Sequence, residues 1–383
     1  MSQLSRAVPA VLVTACLATL LVIGAAPSAG DDLAATDRWQ LSVLRLRQAW
    51  LLSKGQGVLV AVLDTGVDGR HPDLAGAVDH GPDLTGASRR QRWRGHHGTA
   101  MAALIAGRGH GDGQGVIGVA PAARVLSIRV TLEAGDPLRE RRRSAGRDAL
   151  ARGIRYAADH GADVISMSLG GGGGSWRGSA AEQRAVRYAI SRGAVLVASA
   201  GNDGDTANRK NFPAAYPGVI AVGAVDRRLR VTRFSNRQGY LSVVAPGTGI
   251  VSADGRGSYL AGDGTSSAAA MVAGIAALIR AAHPELPPLL VRRAIELGTT
   301  RRPATGHDSS YGHGVANALL ALRRAELLAG ASTAPARPAT RPAGRPAGSP
   351  PARTPVVLGL VLLSAGMSAR LIVRQGRRGR RST

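Results

Sequence analysis

The sequence is poor in cysteine, lysine and aromatic residues, and each shortage limits what the protein can be. The one cysteine, Cys16, lies inside an apolar N-terminal run, so the chain forms no intramolecular disulfide. Aromatic residues make up 3% of the chain, while alanine, glycine and valine are abundant, so the core must be mostly aliphatic. This composition suits an α/β fold whose helices pack closely on a parallel sheet.

Positive charge is abundant and comes almost entirely from arginine. Lys54 and Lys210 are the only lysines among 49 basic side chains, and the formal net charge is +24. Such a charge is compatible with nucleic-acid binding. No stretch interleaves arginine with aromatic residues, however, and part of the charge lies in the terminal segments. We therefore expect no nucleic-acid partner, whereas a basic surface also suits anionic lipid head groups.

Both ends of the chain are biased in composition. Residues 1–30 combine an early arginine, an apolar stretch and a small-residue region, as a secretory signal peptide does. A lipoprotein signal ending at Cys16 and an uncleaved anchor are the alternatives. The apolar run continues past Cys16 and ends in small residues, which favours a cleaved signal peptide.

The C-terminal end predicts a membrane tether. A Pro/Ala/Arg-rich tract reads as an extended spacer, and the apolar segment after it reaches bilayer length if Arg370 snorkels to the head groups. The basic tail should stay in the cytoplasm, which leaves the body of a single-pass cell-membrane protein outside the cytoplasm. The expected organisation is a signal peptide (1–30), an N-terminal extension (31–57), a main domain (58–328), a linker (329–355), a transmembrane helix (356–373) and a basic tail (374–383).

Between the tails, short apolar runs alternate with segments of helical periodicity. The runs at 58–63, 123–128, 164–167, 195–198 and 219–222 are bounded by turn residues and predict strands buried on both faces. Helical periodicity covers 144–160, 180–192 and 266–282. This alternation predicts an α/β fold with a doubly wound, mostly parallel sheet and helices on both faces. In such a sheet, functional residues are expected at the carboxyl ends of the strands.

Two motifs near the first strands carry groups suited to acid–base chemistry. Asp64 ends the first predicted strand in an Asp-Thr-Gly tripeptide. Aspartic proteases also use this tripeptide, but they need two copies and the chain has one. His97 opens a small-residue helix that begins His-Gly-Thr, and the neighbouring His96 is a competing imidazole. The Gly-Thr that follows His97 favours His97.

Two further motifs supply a hydroxyl and an amide. Ser266 lies in Gly-Thr-Ser before an apolar helix, where a serine acts either as a helix N-cap or as a nucleophile. Ser267 competes with it, and the Gly-Thr-Ser register favours Ser266. Asn202 follows a strand on a Gly-rich turn, where its amide either forms an Asx turn or donates to a developing oxyanion.

In the order Asp, His, Asn, Ser, these motifs resemble those of the subtilisin-like serine proteases. The resemblance runs from about residue 39 to about residue 328. It includes residues 62–67, 71–74, 97–107, 115–121, 166–170, 200–202, 244–247, 264–266 and 312–317. Two departures are that His96 stands where the family usually has glycine, and that Ala270 and Met271 replace the usual Pro-His pair.

The resemblance implies the fold and the role of each residue. Asp64, His97 and Ser266 would be the catalytic triad of an endopeptidase, and Asn202 would complete an oxyanion hole. Ser168, Leu169 and Gly170 would pair with a protein or peptide substrate and flank the pocket for the side chain before the scissile bond. Neither a cofactor nor a metal is expected. A charged segment after residue 130, at 138–143, replaces the usual second substrate-binding edge.

With signal-peptide cleavage near residue 30, residues 31–57 are expected to be too short for the inhibitory prodomain that secreted subtilisins carry after their signal peptide. Together with the Pro-rich linker and the single C-terminal span, this resembles the mycosins, which are membrane-anchored subtilases of type VII secretion systems. That resemblance implies a type VII secretion complex as a partner. Mycosins usually contain disulfides, and this chain cannot. The alternatives are a general cell-surface protease and a scaffold of the secretion complex in which catalysis is dispensable.

Overall fold

The structure is a computed structural model that describes residues 38–333 apart from 88–94, 112–113, 142–147, 171–177 and Arg256. Its strands are β1 (Leu59–Asp64), β2 (Val78–Asp83), β3 (Arg108–His110), β4 (Gln114–Ile117), β5 (Arg124–Arg129), β6 (Val164–Met167), β7 (Val195–Ser199), β8 (Ile220–Val225), β9 (Val243–Pro246), β10 (Ile250–Ala253), β11 (Tyr259–Gly262), β12 (Thr299–Thr300) and β13 (Val315–Ala316). Its helices are α1 (Trp39–Val43), α2 (Leu46–Ala49), α3 (His96–Ala106), α4 (Pro137–Arg141), α5 (Ala149–Asp159), α6 (Ala180–Ser191), α7 (Thr265–Ala282), α8 (Pro288–Leu297) and α9 (Ala318–Thr333).

Nine of these strands form one sheet in the order β12-β13-β9-β8-β7-β6-β1-β5-β2. All neighbours pair in parallel except β12 and β13. The chain passes from β5 on one side of β1 to β6 on the other, which makes a topological switch point at β1. Side chains at the carboxyl ends of β1, β6 and β7 therefore meet at one edge of the sheet.

The central strands are buried on both faces because helices cover each face. In β1, Val60 and Val62 pack into the core that contains α3 and α7. The alternate residues Ala61 and Leu63 pack into the opposite core, which contains α5 and α6. This alternation follows from the two-residue period of a strand. The predicted doubly wound fold with helices on both faces is confirmed.

The predicted strands and helices agree with the observed ones to within a few residues. β1, β5, β6, β7 and β8 match the five apolar runs, while α5 begins at Ala149, five residues after the predicted start at 144. The other elements have no counterpart among the predicted ones: these are the strands β2 to β4 and β9 to β13 and the helices α1, α2, α4, α8 and α9. These elements are short or contribute only one apolar face, so their periodicity is weak.

The main packing unit extends past both boundaries expected from the sequence. Leu44, Leu46 and Ala49 precede residue 58, yet they are fully buried in the same core. The Trp50 Nε1–H donates to the Val119 carbonyl at 2.8 Å. At the other end, α9 continues to Thr333, five residues into the segment expected to be linker. Residues 38–57 and 329–333 therefore belong to the folded domain.

Membrane topology depends mostly on residues outside the described part. The expected signal peptide (1–30), transmembrane helix (356–373) and basic tail (374–383) all lie there. Within the described residues, α7 is the one helix with the length and composition of a membrane span, but 83% of it is buried inside the protein. Its apolar character is therefore that of a core helix.

Candidate active site

A carboxylate and an imidazole meet at the carboxyl end of β1. Asp64 is the last residue of that strand and is 1% exposed, and its Oδ1 lies 2.8 Å from His97 Nδ1. The same Oδ1 accepts the backbone N–H of Thr65 at 2.7 Å. A hydrogen bond from Nδ1–H to Asp64 leaves Nε2 as the basic nitrogen of the ring. The pair predicted from the sequence is therefore assembled.

The residues that flank this pair explain why each motif contains glycine and threonine. A Cβ on Gly98 would lie 2.0 Å from the Gly66 carbonyl oxygen, so only glycine allows α3 to approach the end of β1 this closely. The Gly98 N–H donates to Thr65 Oγ1 at 3.0 Å. Thr99 Oγ1 accepts the Asp68 N–H at 2.8 Å. The two tripeptides thus fix each other, and this contact orients His97.

His96 has a different partner. Its Nδ1 lies 2.6 Å from Asp254 Oδ1, in the turn between β10 and β11. His97 is therefore the histidine that pairs with Asp64, and the choice made from the Gly-Thr register agrees with this geometry.

The environment of His97 raises its pKa above the usual value. Burial favours the neutral imidazole and lowers the pKa, but the charge and hydrogen bond of Asp64 outweigh this effect. The carboxylate of Glu133 adds to the increase. Glu133 is 6% exposed, and its Oε1 lies 3.4 Å from the backbone nitrogen of His97. The sequence does not predict Glu133 as part of this site, because a lone acid in a charged loop carries no motif.

Ser266 lies at the start of α7, where the helix dipole favours a developing negative charge. Its hydroxyl is not the N-cap, because Gly264 holds that position. The Ser168 hydroxyl donates to the Ser266 carbonyl at 3.0 Å, which ties the end of β6 to this helix. Within the described residues, no hydrogen bond joins the Ser266 hydroxyl to His97. Such bonds are often long in a protein without substrate and tighten when substrate binds.

Asn202 is held by the residue before Ser266. Its Oδ1 accepts from the Thr265 backbone N–H at 2.9 Å and from the Thr265 hydroxyl at 2.8 Å. Because both partners are donors, the oxygen must face Thr265, and Nδ2 faces away from it. The Thr265 hydroxyl accepts the Gly201 N–H in turn, at 3.2 Å. The amide is therefore a fixed donor next to the start of α7, and not an Asx-turn acceptor.

Comparison with known proteins identifies the family of this chain. Residues 55–314 match the model of the subtilase family, Peptidase S8. The chain belongs to the subtilase family. It is 38% identical over 276 residues to thermitase of Thermoactinomyces vulgaris, an alignment that covers 72% of this chain and 92% of thermitase. With subtilisins among its relatives as well, this subtilase is a serine endopeptidase of the subtilisin type.

Its structural neighbours include mycosins. The structure of MycP1 from Mycobacterium smegmatis matches with a TM-score of 0.64 and 29% identity, over 76% of this chain and 85% of that one. The MycP3 protease of a type VII (ESX-3) secretion system matches with a TM-score of 0.66 and 30% identity, over 77% of this chain and 90% of that one. The likeness therefore spans most of the folded part of this subtilase.

The expected substrate-binding residues of this subtilase follow β6 directly. Gly170 adopts φ +115°, and a Cβ there would lie 2.2 Å from Asn211 Oδ1. The Asn211 Nδ2 group donates to the Leu169 carbonyl at 3.3 Å and to the Ser199 carbonyl at 2.9 Å. Asn211 thus joins the ends of β6 and β7 below Gly170. The sequence does not predict this role of Asn211, because it depends on two carbonyls that are distant in the chain.

A buried ion pair supports the loop after β1 in this subtilase. The Arg129 side chain is almost fully buried, and its Nη1 donates to Asp83 Oδ2 at 2.8 Å. Its Nε donates to the Thr65 carbonyl at 3.0 Å. Burial alone would raise the pKa of Asp83, but hydrogen bonds from Thr85 and Arg129 outweigh it and lower that pKa. Arg129 therefore links two strand ends directly behind Asp64.

Proposed function

We propose that this subtilase cleaves peptide bonds through Asp64, His97 and Ser266, with Asn202 as an oxyanion donor. The observation that carries the proposal is the 2.8 Å bond between Asp64 Oδ1 and His97 Nδ1. It leaves the basic Nε2 of His97 at the sheet edge that also carries Ser266. The amide of Asn202, held by Thr265, supplies a donor at the same helix start.

The reaction follows from these groups. His97 Nε2 takes the proton of the Ser266 hydroxyl as the oxygen attacks the scissile carbonyl carbon, and Asp64 stabilises the imidazolium that forms. The Asn202 amide and the Ser266 backbone N–H donate to the oxyanion. His97 then protonates the leaving amine as the C–N bond breaks. Water hydrolyses the acyl-enzyme by the same proton route, which restores Ser266.

The substrate would bind as an extended strand along Ser168, Leu169 and Gly170. The side chain before the scissile bond would enter the space bounded by these residues and by the turn that carries Asn202. Asn211 links the two walls at the Leu169 and Ser199 carbonyls. A rigid link of this kind keeps the width of the pocket constant.

Non-additivity tests the triad. Because the three groups act as one unit, S266A, H97A and the triple variant D64A/H97A/S266A should lose similar factors in kcat, while D64A alone loses less. S267A serves as the matched control and should keep its activity. Independent, multiplicative losses would contradict a triad.

We further propose that the domain is exported, anchored by residues 356–373 and associated with a type VII secretion system. The N-terminal and C-terminal segments of the sequence support anchoring, and the likeness to MycP1 and MycP3 supports the secretion role. Carbonate extraction of membranes from the source organism tests anchoring. The full chain should stay in the membrane fraction, whereas a chain ending at Thr333 should be released.

A general surface protease is the second candidate. The identity of 38% to thermitase, against 29% and 30% to the two mycosin structures, favours it. Comparison of the secreted proteins in a deletion strain, complemented with the wild type or with S266A, separates the candidates. If the deletion strain no longer secretes the substrates of the type VII system, the result supports the mycosin role. Restoration of their secretion by S266A would show that this role does not need catalysis.

A further inference from the structure

Two adjacent histidines each contact a carboxylate, and the site described above uses only one of them. His96 Nδ1 lies 2.6 Å from Asp254 Oδ1, with the two side chains only 21% and 19% exposed. The contact joins residues 158 positions apart in the chain. His96 is next to His97, so the contact fixes the backbone at the start of α3.

The partner carboxylate belongs to the hairpin that leads to the nucleophile. Strands β10 and β11 pair in antiparallel register from Ile250 opposite Gly262 to Ala253 opposite Tyr259. After β11 the chain reaches Ser266 within four residues. The Gly264 N–H donates to the Gly247 carbonyl at 2.8 Å, which closes the base of the hairpin just before α7.

Close backbone packing reinforces the contact at the tip of the hairpin. A Cβ on Gly255 would lie 3.0 Å from the Gly95 carbonyl oxygen and 3.1 Å from the His96 nitrogen. Gly95 is the N-cap of α3. The Ser258 hydroxyl donates to Asp254 Oδ2 at 3.2 Å, which orients the carboxylate toward His96.

The second strand of the hairpin, β11, and the residue before it contact two more histidines. The fully buried His71 has its Nε2 3.2 Å from the Ser258 carbonyl, and its ring packs edge-on against Tyr259. The Tyr259 hydroxyl lies 3.3 Å from His110 Nδ1, which in turn lies 2.7 Å from Asp73 Oδ1. These contacts hold the hairpin against the body of the domain, while the one through His96 holds it against α3.

We propose that His96 is a positioning residue, which through Asp254 sets the spacing between His97 and Ser266. This inference rests on the proposed function, because it assigns a role relative to that triad. His96 and Asp254 join the two elements that deliver the base and the nucleophile.

The spacing matters because, within the described residues, no hydrogen bond joins the side chains of His97 and Ser266. Their alignment depends on how α3 and the hairpin are fixed to each other. A displacement of about 1 Å in a reacting group costs on the order of 10²-fold in rate.

The test compares H96A, H96N, D254A and the double variant H96A/D254A with the wild type. A fluorophosphonate probe counts reactive sites, and kcat and KM for a peptide anilide are expressed per reactive site. We expect H96A and D254A to lower kcat by about 10- to 100-fold with little change in KM. The double variant should lose no more than either single variant. H96N should recover most of the rate, since the asparagine Nδ2 can occupy the place of the histidine Nδ1.

The surface pair between Arg124 and Asp79 provides a matched control. D79A removes the carboxylate of that exposed pair. Asp79 lies near the amino end of β2, at the end of the sheet away from the active site, so the variant should leave kcat unchanged. If H96A or D254A does not fold, H96N and H96Q carry the comparison. Both keep an amide at this position, but only the asparagine amide reaches Asp254 from the position of the ring nitrogen, so H96Q should be slow.

Several outcomes would overturn the inference. One is a normal kcat per site in H96A with only a lower melting temperature, which would make the contact purely structural. A loss of kcat in the double variant equal to the product of the two single losses would also count against it. So would equal rates in H96N and H96Q. A wild-type protein that the probe does not label at Ser266 would instead refute the proposed function, which keeps the two failures distinct.

Discussion

Removing the amide of Asn202 should slow catalysis with little effect on substrate binding. The side chain is exposed, and its Oδ1 makes two hydrogen bonds, both to Thr265. N202A therefore removes the Nδ2 donor without opening a cavity in the core. Loss of one oxyanion donor costs about 2.7–4 kcal/mol, a range known from subtilisin itself, or about 10²- to 10³-fold in kcat. KM should change by less than about threefold, since the donor acts mainly in the transition state.

Thr265 provides a graded version of the same test. T265V removes the hydroxyl that donates to Asn202 Oδ1 at 2.8 Å and accepts the Gly201 N–H at 3.2 Å, but it keeps the backbone bond to Asn202 at 2.9 Å. One neutral hydrogen bond is worth about 0.5–1.5 kcal/mol, so kcat should fall by about 2- to 12-fold. Steady-state hydrolysis of a peptide anilide, corrected for reactive sites, measures both variants. A kcat within threefold of wild type in N202A, or a larger loss in T265V than in N202A, would refute this role of the amide.

Three other predictions follow from the surroundings of the proposed triad. In the proposed mechanism, His97 must be neutral to accept a proton. Because the pKa of His97 is raised, kcat/KM should increase with pH, with a midpoint above about 6.5, and D64N should lower that midpoint. G98A should lower the free energy of unfolding by about 3 kcal/mol, because the added Cβ would lie 2.0 Å from a backbone oxygen. D83A should lower it by about 3–5 kcal/mol, because the buried Arg129 guanidinium would lose the carboxylate to which its Nη1 donates.

Matched variants and a pH series check these three predictions. G239A places a Cβ where no atom lies within 4 Å, so urea unfolding should give a nearly unchanged midpoint. D79A breaks the exposed pair with Arg124 and should cost less than about 1 kcal/mol. The contribution of Asp83 to the free energy of unfolding should be complete above the pKa of an unfolded carboxyl, about 3.9. It should be lost as the pH falls through the lower pKa of Asp83 in the folded protein. Equal costs for D83A and D79A, or a D64N midpoint equal to wild type, would contradict the assignments.

The sequence alone predicted the sheet, which the structure confirms, and it gave Asp64, His97 and Ser266 as the expected triad, because both inferences depend on local patterns. Apolar runs of four to six residues specify the buried strands. The glycine in His-Gly-Thr indicates that another part of the backbone comes close at this position. In the structure, this neighbour is the Gly66 carbonyl oxygen. Residues with a motif around them, such as Asp64 and Ser266, can therefore be proposed as functional from the sequence.

Residues whose roles depend on distant partners could not be predicted. Asn211 contacts the Leu169 carbonyl 42 positions away, and His96 contacts Asp254 158 positions away. For neither residue do the neighbouring residues in the sequence form a motif that indicates this contact. Glu133 likewise approaches His97 only because β5 lies beside β1 in the sheet. Such contacts follow from the tertiary arrangement of strands, helices and loops, which the apolar runs do not determine.

The most direct test of the central claim is to identify the serine that a fluorophosphonate labels. Digestion of the labelled wild-type protein and mass spectrometry of its peptides should place the adduct on Ser266. S266A should remain unlabelled, whereas S267A should be labelled at a rate close to that of wild type. An adduct on Ser267 or on any other serine, or a folded wild-type protein that resists labelling, would contradict the assignment of Asp64, His97 and Ser266 as the catalytic triad.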